Sequence, residues 1–217
     1  MYELIKADER HIDQLVPLLA STGYWDFGMK HNALNVSNRE FMREGIVKPH
    51  LPFTHIMVKK GESETVLGVI VCASKEALSK MAASKYNASL DPRIVVIFKN
   101  ILNFELTESY HVSFLAVKKE FRGKGLGKKL LEYAEKKGHS EGCETLSLYT
   151  VNCQSSAISL YLRFGMMLTK VITISDRVPF PHFLYFEKNK KLMTQHDYFD
   201  TEEFQKLDVI NLSDEKN

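Results

Sequence analysis

Three glycines alternate with other residues in one short stretch of the chain, Arg122-Gly123-Lys124-Gly125-Leu126-Gly127. Glycine lets a backbone approach a ligand closely, and the free amides at the start of a helix attract an anion. Basic residues lie in and beside this stretch: Lys118, Lys119, Arg122, Lys124, Lys128 and Lys129. The pattern predicts a site for several phosphate groups; the alternative is a flexible turn on a solvated basic face.

Two common nucleotide motifs do not fit these glycines. A Walker loop would need a glycine in place of Arg122 and a serine or threonine in place of Lys129. The dinucleotide motif Gly-x-Gly-x-x-Gly would need its last glycine at Lys128 or at Leu130. The sequence therefore favours neither ATP nor NAD as the ligand.

The glycine-rich stretch lies between a predicted strand at 111–117 and a predicted helix at about 127–137, which Gly138 should end. Apolar residues recur on one face of this helix and charged residues on the other, so the helix should pack on a sheet. This order leaves the first amides of the helix next to the end of a strand, where they can bind a ligand.

The other predicted elements also alternate between strands and helices. Strands are predicted at 2–5, 53–59, 65–73, 146–151, 166–174 and 182–186. Helices are predicted after the first strand, at 75–86, 91–102 and 155–164. We expect one mixed α/β domain over 1–188, with a helical insertion at 75–107 and an appendage at 189–217.

The composition narrows the class of protein. The 217 residues, 44% of them hydrophobic, can form a substantial core, and a net charge of +2 gives no overall field for nucleic acid or an anionic membrane. Three widely spaced cysteines fit neither a disulfide framework nor a zinc site, and no apolar run is long enough to span a bilayer. We expect a cytoplasmic protein that binds neither nucleic acid nor membrane.

Two segments resemble the motifs of the GCN5-related N-acetyltransferase (GNAT) family. In the first, Leu115-Ala116-Val117 precedes the glycine-rich stretch, with Arg122, Gly125 and Gly127 on the defining positions. The second has Asn152 followed by a helix that carries Ala157, Leu160, Tyr161, Phe164 and Gly165. The resemblance covers about 108–167. It implies an α/β (α+β) fold with a mostly antiparallel central sheet, one splayed parallel strand pair and helices on both faces.

The resemblance also implies a cofactor site for acetyl-CoA, with no metal. Main-chain groups of Leu115 and Val117 would pair with the pantetheine arm, and the Val117 amide would stabilise the oxyanion of the intermediate. Asn152 would hydrogen-bond the same arm. The pyrophosphate would lie on the glycine-rich loop, whose expected binding residues are Arg122, Gly123, Lys124, Gly125, Leu126, Gly127 and Lys128.

Three residues are implied for proton transfer. Tyr161 matches the position of a tyrosine that protonates the departing thiolate, and its alternative role is packing in the core. His111 stands six residues before Val117, where the family often has a glutamate. His111 is therefore the candidate base, directly or through water, and Glu108 is the alternative.

The resemblance implies direct transfer of an acetyl group to a primary amine of a small molecule or a peptide. The competing hypothesis is a catalytically silent sensor that binds acyl-CoA and signals through the insertion or the tail. The insertion contains Ile94, Val95, Ile97, Phe98 and Ile101. These side chains are too apolar to stay exposed, so the insertion should cover the acceptor side of the site or form a homodimer contact.

Overall fold

A computed structural model describes residues 1–22, 38–85, 109–173 and 182–189. These residues form one seven-stranded sheet in the order β1-β2-β3-β4-β5-β7-β6. The strands are β1 (Tyr2–Lys6), β2 (Thr54–Lys59), β3 (Gly68–Ser74), β4 (Ser109–Val117), β5 (Thr145–Val151), β6 (Met167–Thr173) and β7 (His182–Asn189). Only β4 and β5 pair in parallel among them, and the other neighbours are antiparallel.

Helices cover both faces of the sheet, as the sequence predicts. They include α1 (Ile12–Ala20), α2 (Asn38–Glu40), α3 (Lys48–His50), α4 (Lys75–Lys85), α5 (Leu126–Ser140) and α6 (Ser155–Arg163). A π-helical turn, Phe41–Val47, joins α2 to α3. One core lies between α1, the 38–53 region and the sheet, and a second core lies between the sheet and α5 with α6.

Helix α1 continues through Pro17, although a proline there is expected to interrupt it. Its buried face carries Ile12, Leu15, Val16 and Leu19, which pack in the first core. Burial of this face outweighs the hydrogen bond that the proline cannot make.

The structure describes residues 75–85 of the insertion. They form helix α4, which follows β3 directly. Residues 86–107, which include the helix expected at 91–102, and the appendage from 190 onward lie outside the described residues. In the described part of the chain, no helix is long and apolar enough to cross a membrane.

Strands β4 and β5 diverge after four paired residues, which opens the sheet at its centre. The parallel register runs from Ser109 opposite Thr145 to Val112 opposite Leu148. A bulge in the β3–β4 pairing follows at the same level, between Val71 and Cys72. Beyond it β4 stays paired with β3 while β5 stays paired with β7, so the two strands separate.

The sequence predicts that helix α5 ends at Gly138. In the structure the helix continues to Ser140. Gly138 is buried, and a Cβ on it would lie 2.6 Å from Cβ of Tyr110 on β4. The glycine allows helix and strand to pack closely, and the turn that follows the helix uses Gly142, with φ of 83°.

Gly138→Ala should therefore destabilise the fold. An alanine gains about 1 kcal/mol of helix propensity, but overpacking against Tyr110 costs about 2–3 kcal/mol, so we expect a net loss of about 1–2 kcal/mol in the free energy of unfolding. Urea denaturation measures this loss. Lys136→Ala, at an exposed position of the same helix, is the control and should change stability little. Equal stability of the two variants would contradict the packing role of Gly138.

Candidate functional site

A groove of about 670 Å³ occupies the opening between β4 and β5. Its walls are the second half of β4, the glycine-rich loop, α6 and the end of α1. The lining residues that recur below are Thr22, Leu115, Val117, Arg122, Gly123, Gly125, Leu126, Gly127, Lys128, Gln154, Leu160 and Tyr161. Most of the residues predicted to bind the cofactor thus line one cavity.

The edge of β4 that faces the groove pairs with no described strand after Val112. The amide of Lys118 donates to the carbonyl of Leu67 at 2.9 Å, on the β3 side. Because successive residues of a strand direct their hydrogen-bonding groups to opposite edges, Leu115 and Val117 direct theirs to the edge that β5 has left. An extended ligand can pair with these groups as an added strand would.

The glycine-rich loop presents backbone to the groove. Gly123 and Gly125 have φ of 75° and 76°, which is the left-handed region that glycine adopts at little cost. A Cβ at either position would meet no atom within 4 Å. Gly125 is also the N-cap of α5, so the first amides of that helix point toward this open space and favour an anion there.

Gly127 has a packing role instead. A Cβ on Gly127 would lie 2.9 Å from Cδ2 of Leu160, so this glycine lets the start of α5 approach α6. The two helices that border the groove are therefore held close together at the loop.

The three basic side chains in and beside the loop, Arg122, Lys124 and Lys128, each make a different contact. Arg122 donates from Nε to the carbonyl oxygen of Val117 at 3.1 Å, which ties the loop to the strand end. Lys124 lies over the ring of Phe121, 4.8 Å from its centroid, and is not among the groove-lining residues. Lys128 lines the groove and lies 3.7 Å from Glu132. Among the residues that line the groove, Arg122, Lys128 and Arg163 carry positive charge.

Tyr161 lies on the buried face of α6, where it lines the groove. Its ring packs against Phe186, with 5.7 Å between the ring centroids. Burial raises the pKa of the Tyr161 hydroxyl well above 10, so the hydroxyl keeps its proton at neutral pH. The residue can serve both as a core side chain and as a proton donor.

His111 is buried on β4 and is not among the residues that line the groove. Its Nδ1 lies 3.0 Å from Oγ of Ser147, and its ring packs near Tyr149. Burial lowers the pKa of His111 from 6.5 to about 4, so the ring is neutral at physiological pH. Glu108 lies outside the described residues. The assignment of the base stays a prediction.

Asn152 is exposed just after β5 and is not among the residues that line the groove, and its backbone N–H donates to the carbonyl oxygen of His182 at 3.2 Å. The neighbouring residue that lines the groove is Gln154, whose Nε2 lies 3.5 Å from the carbonyl of Thr22. Sequence reasoning missed Gln154 and Thr22, because 132 residues separate them and no local pattern predicts their contact.

Acid should destabilise the fold through its buried histidines. Burial lowers the pKa of both His50 and His111 from 6.5 to about 4. The unfolded chain therefore takes up protons first, and the stability present above pH 6.5 is lost as the pH falls toward 4. At pH 5 we expect a loss of about 2 kcal/mol per histidine, measured by urea denaturation at pH 7.5 and 5.0.

The variant His111→Asn is the control for this pH dependence. It removes one titrating group, so the difference in unfolding free energy between the two pH values should shrink by about 2 kcal/mol. Equal stability of the parent protein at pH 7.5 and pH 5.0 would contradict the expected burial of these rings.

The family model described as acetyltransferase (GNAT) family matches residues 33–166. No curated protein shows a significant sequence match to the chain.

Solved structures share the fold at low sequence identity. An N-acetyltransferase from Staphylococcus aureus Mu50 is 14% identical, with a TM-score of 0.64 over 86% of this chain and 100% of that one. The polyamine N-acetyltransferase of Drosophila melanogaster, which catalyses formation of N-acetylagmatine, is 18% identical, with a TM-score of 0.60 over 87% and 100%. A chain of the NatC complex, bound to Gag peptide and CoA, is 18% identical, with a TM-score of 0.54 over 87% and 98%.

Proposed function

Since the chain belongs to the acetyltransferase (GNAT) family, we propose that it transfers an acetyl group from acetyl-CoA directly to a primary amine of a small molecule or a peptide. The observation that carries this proposal is the groove, in which an open strand edge leads to an anion-binding helix start. A phosphorylated ligand with an extended arm requires both features side by side.

The residues of the groove fit acetyl-CoA. Leu115 and Val117 would pair with its pantetheine arm through backbone groups, and the amide of Val117 would stabilise negative charge on the carbonyl oxygen. Gly123, Gly125 and the first amides of α5 would hold the pyrophosphate, with Lys128 nearby. Acetyl-CoA supplies the acetyl group as a thioester.

Transfer requires two proton movements. The amine nitrogen bonds to the thioester carbonyl carbon, the carbon–sulfur bond breaks, and the sulfur leaves as a thiolate that takes a proton. Tyr161 is the proposed donor of that proton, because it lines the groove and its hydroxyl keeps its proton at neutral pH.

The amine loses a proton as it attacks. His111 is the proposed acceptor of this proton, through water, and Glu108 is the alternative. With a pKa of about 4, His111 is uncharged from pH 6 upward, so its own titration should not limit the rate near pH 6.5. In that range the fraction of unprotonated amine should set the pH dependence instead.

The test is release of free thiol from acetyl-CoA in the presence of a panel of primary amines. Turnover with at least one amine, with formation of the N-acetyl product, supports the proposal. Tight binding of acetyl-CoA without turnover on any amine would instead support an acyl-CoA sensor. Absence of any increase in melting temperature with acetyl-CoA would overturn both, because a ligand that binds only the native state must raise it.

A further inference from the structure

The face of the sheet that carries α1 changes at β4 from apolar side chains to polar and aromatic ones. On β2, β3 and the second half of β4 it is apolar and packs in the first core, through Val58, Val69, Val71, Phe114 and Ala116. The strand registers place three rows of other side chains on this face over β4, β5 and β7. The rows are Ser109-Thr145-Asn189, His111-Ser147-Glu187 and Tyr149-Tyr185.

Most polar atoms in these rows have partners. Oγ of Ser147 lies 2.9 Å from Oγ of Ser109 and 3.0 Å from Nδ1 of His111. Asn189 donates to Oγ1 of Thr145 at 3.2 Å. These hydrogen bonds satisfy the polar side chains of the row Ser109-Thr145-Asn189 and of the pair His111 and Ser147, so this part of the surface needs no ligand.

The hydrogen bonding of the row Tyr149-Tyr185 differs from that of the other two rows. The Tyr185 side chain is 2% exposed and its hydroxyl makes no hydrogen bond of ordinary geometry, although Ser147 and Glu187 are nearby. Its ring lies 4.6 Å from that of Tyr149, centroid to centroid. The hydroxyl lies beside the Ser147 and Glu187 side chains without a hydrogen bond of ordinary geometry to either, so it is available to a bound group.

Glu187 adds negative charge to the same place. Its carboxylate is partly buried and raises the pKa of Tyr149 and Tyr185 further, beyond the effect of burial itself. It makes no ion pair with a described residue, whereas the next residue, Lys188, pairs with Glu135 at 2.9 Å. A carboxylate beside two aromatic rings favours a cation over a neutral or anionic group.

We propose that Glu187, Tyr149 and Tyr185 form a subsite for a second positive charge on the acceptor, so that the preferred acceptor is an aliphatic diamine. This inference rests on the proposed function, because it assumes an amine acceptor. His111 and Glu187 share one row, two strand spacings apart, and are therefore roughly 10 Å apart along the sheet. One amine can react near β4 while the other is held at β7.

Two amines of equal chain length test the subsite: cadaverine, with two amines, and pentylamine, with one. The parent protein should have a KM for cadaverine at least ten-fold below that for pentylamine in the thiol-release assay. Glu187→Gln keeps the shape and removes the charge, so it should raise the KM for cadaverine 10- to 100-fold. The KM values for pentylamine and acetyl-CoA should stay the same.

The control variant is Glu62→Gln, which removes a carboxylate from the exposed turn between β2 and β3, where it pairs with Lys59. It should leave all three KM values unchanged. If Glu187→Gln keeps the preference for cadaverine, or if the parent has none while it acetylates pentylamine, the subsite is wrong and the proposed function stands.

Calorimetry with cadaverine separates the two proposals if no amine is acetylated. Binding of cadaverine to the parent in the presence of CoA, and its loss in Glu187→Gln, would support the subsite although the proposed transfer had failed. Absence of cadaverine binding to the parent would overturn the subsite.

Discussion

Gly125→Val should weaken acetyl-CoA binding at least 100-fold. Gly125 has φ of 76°, where a β-branched residue costs about 1–2 kcal/mol, and its missing side chain points into open space at the start of α5. A valine there would both strain the loop and occupy the space expected for phosphate. Isothermal titration calorimetry of acetyl-CoA against the parent and the variant measures the loss.

Gly61→Val is the matched control. Gly61 has φ of 82° and no atom within 4 Å of its missing Cβ, but it lies in the turn between β2 and β3 and does not line the groove. Both variants should lose a similar, small amount of stability, and only Gly125→Val should lose binding. Parent-like affinity of Gly125→Val would show that the phosphates bind elsewhere.

Tyr161→Phe should lower kcat by about 100-fold with little change in acetyl-CoA affinity. Phenylalanine keeps the ring that packs on Phe186 and removes only the hydroxyl, the proposed donor to the thiolate. Steady-state kinetics with the best amine acceptor, together with calorimetry of cofactor binding, measure the two quantities separately.

A second tyrosine of the same core serves as the control for this variant. Tyr133 lies on α5, packs against His55 at 4.7 Å between ring centroids, and does not line the groove. Tyr133→Phe should leave kcat unchanged. If Tyr161→Phe also turns over at the parent rate, then Tyr161 has a packing role alone and another group protonates the sulfur.

The glycine-rich loop is the part of the candidate site that local sequence encodes. Its glycines, the strand before it and the helix after it are contiguous, so the order strand, loop, helix start follows from spacing and glycine conformation. The structure bears this order out, with Gly125 as the N-cap of α5. The hairpin of β2 and β3 also follows from local sequence, because the turn Gly61-Glu62-Ser63-Glu64 and the predicted strands on either side of it are neighbours in the chain.

Errors arose where one residue depends on a distant one. Gly138 matches the pattern of a helix end, but its role is set by Tyr110, which lies on another element. Burial of His111 is similarly not visible in its own strand, and it lowers the pKa that a histidine would otherwise have.

By itself the sequence determined the element types, the glycine-rich loop between β4 and α5, and the family, because these depend on contiguous residues and short spacings. Tertiary structure alone decided which strands distant in the chain became neighbours and in which register, and so which of their side chains share a surface. His111, Ser147 and Glu187 belong to three separate strands, and alternation predicts the face of each residue only relative to its own strand. Their common row exists because β7 inserts between β5 and β6, a choice made by packing across the whole sheet.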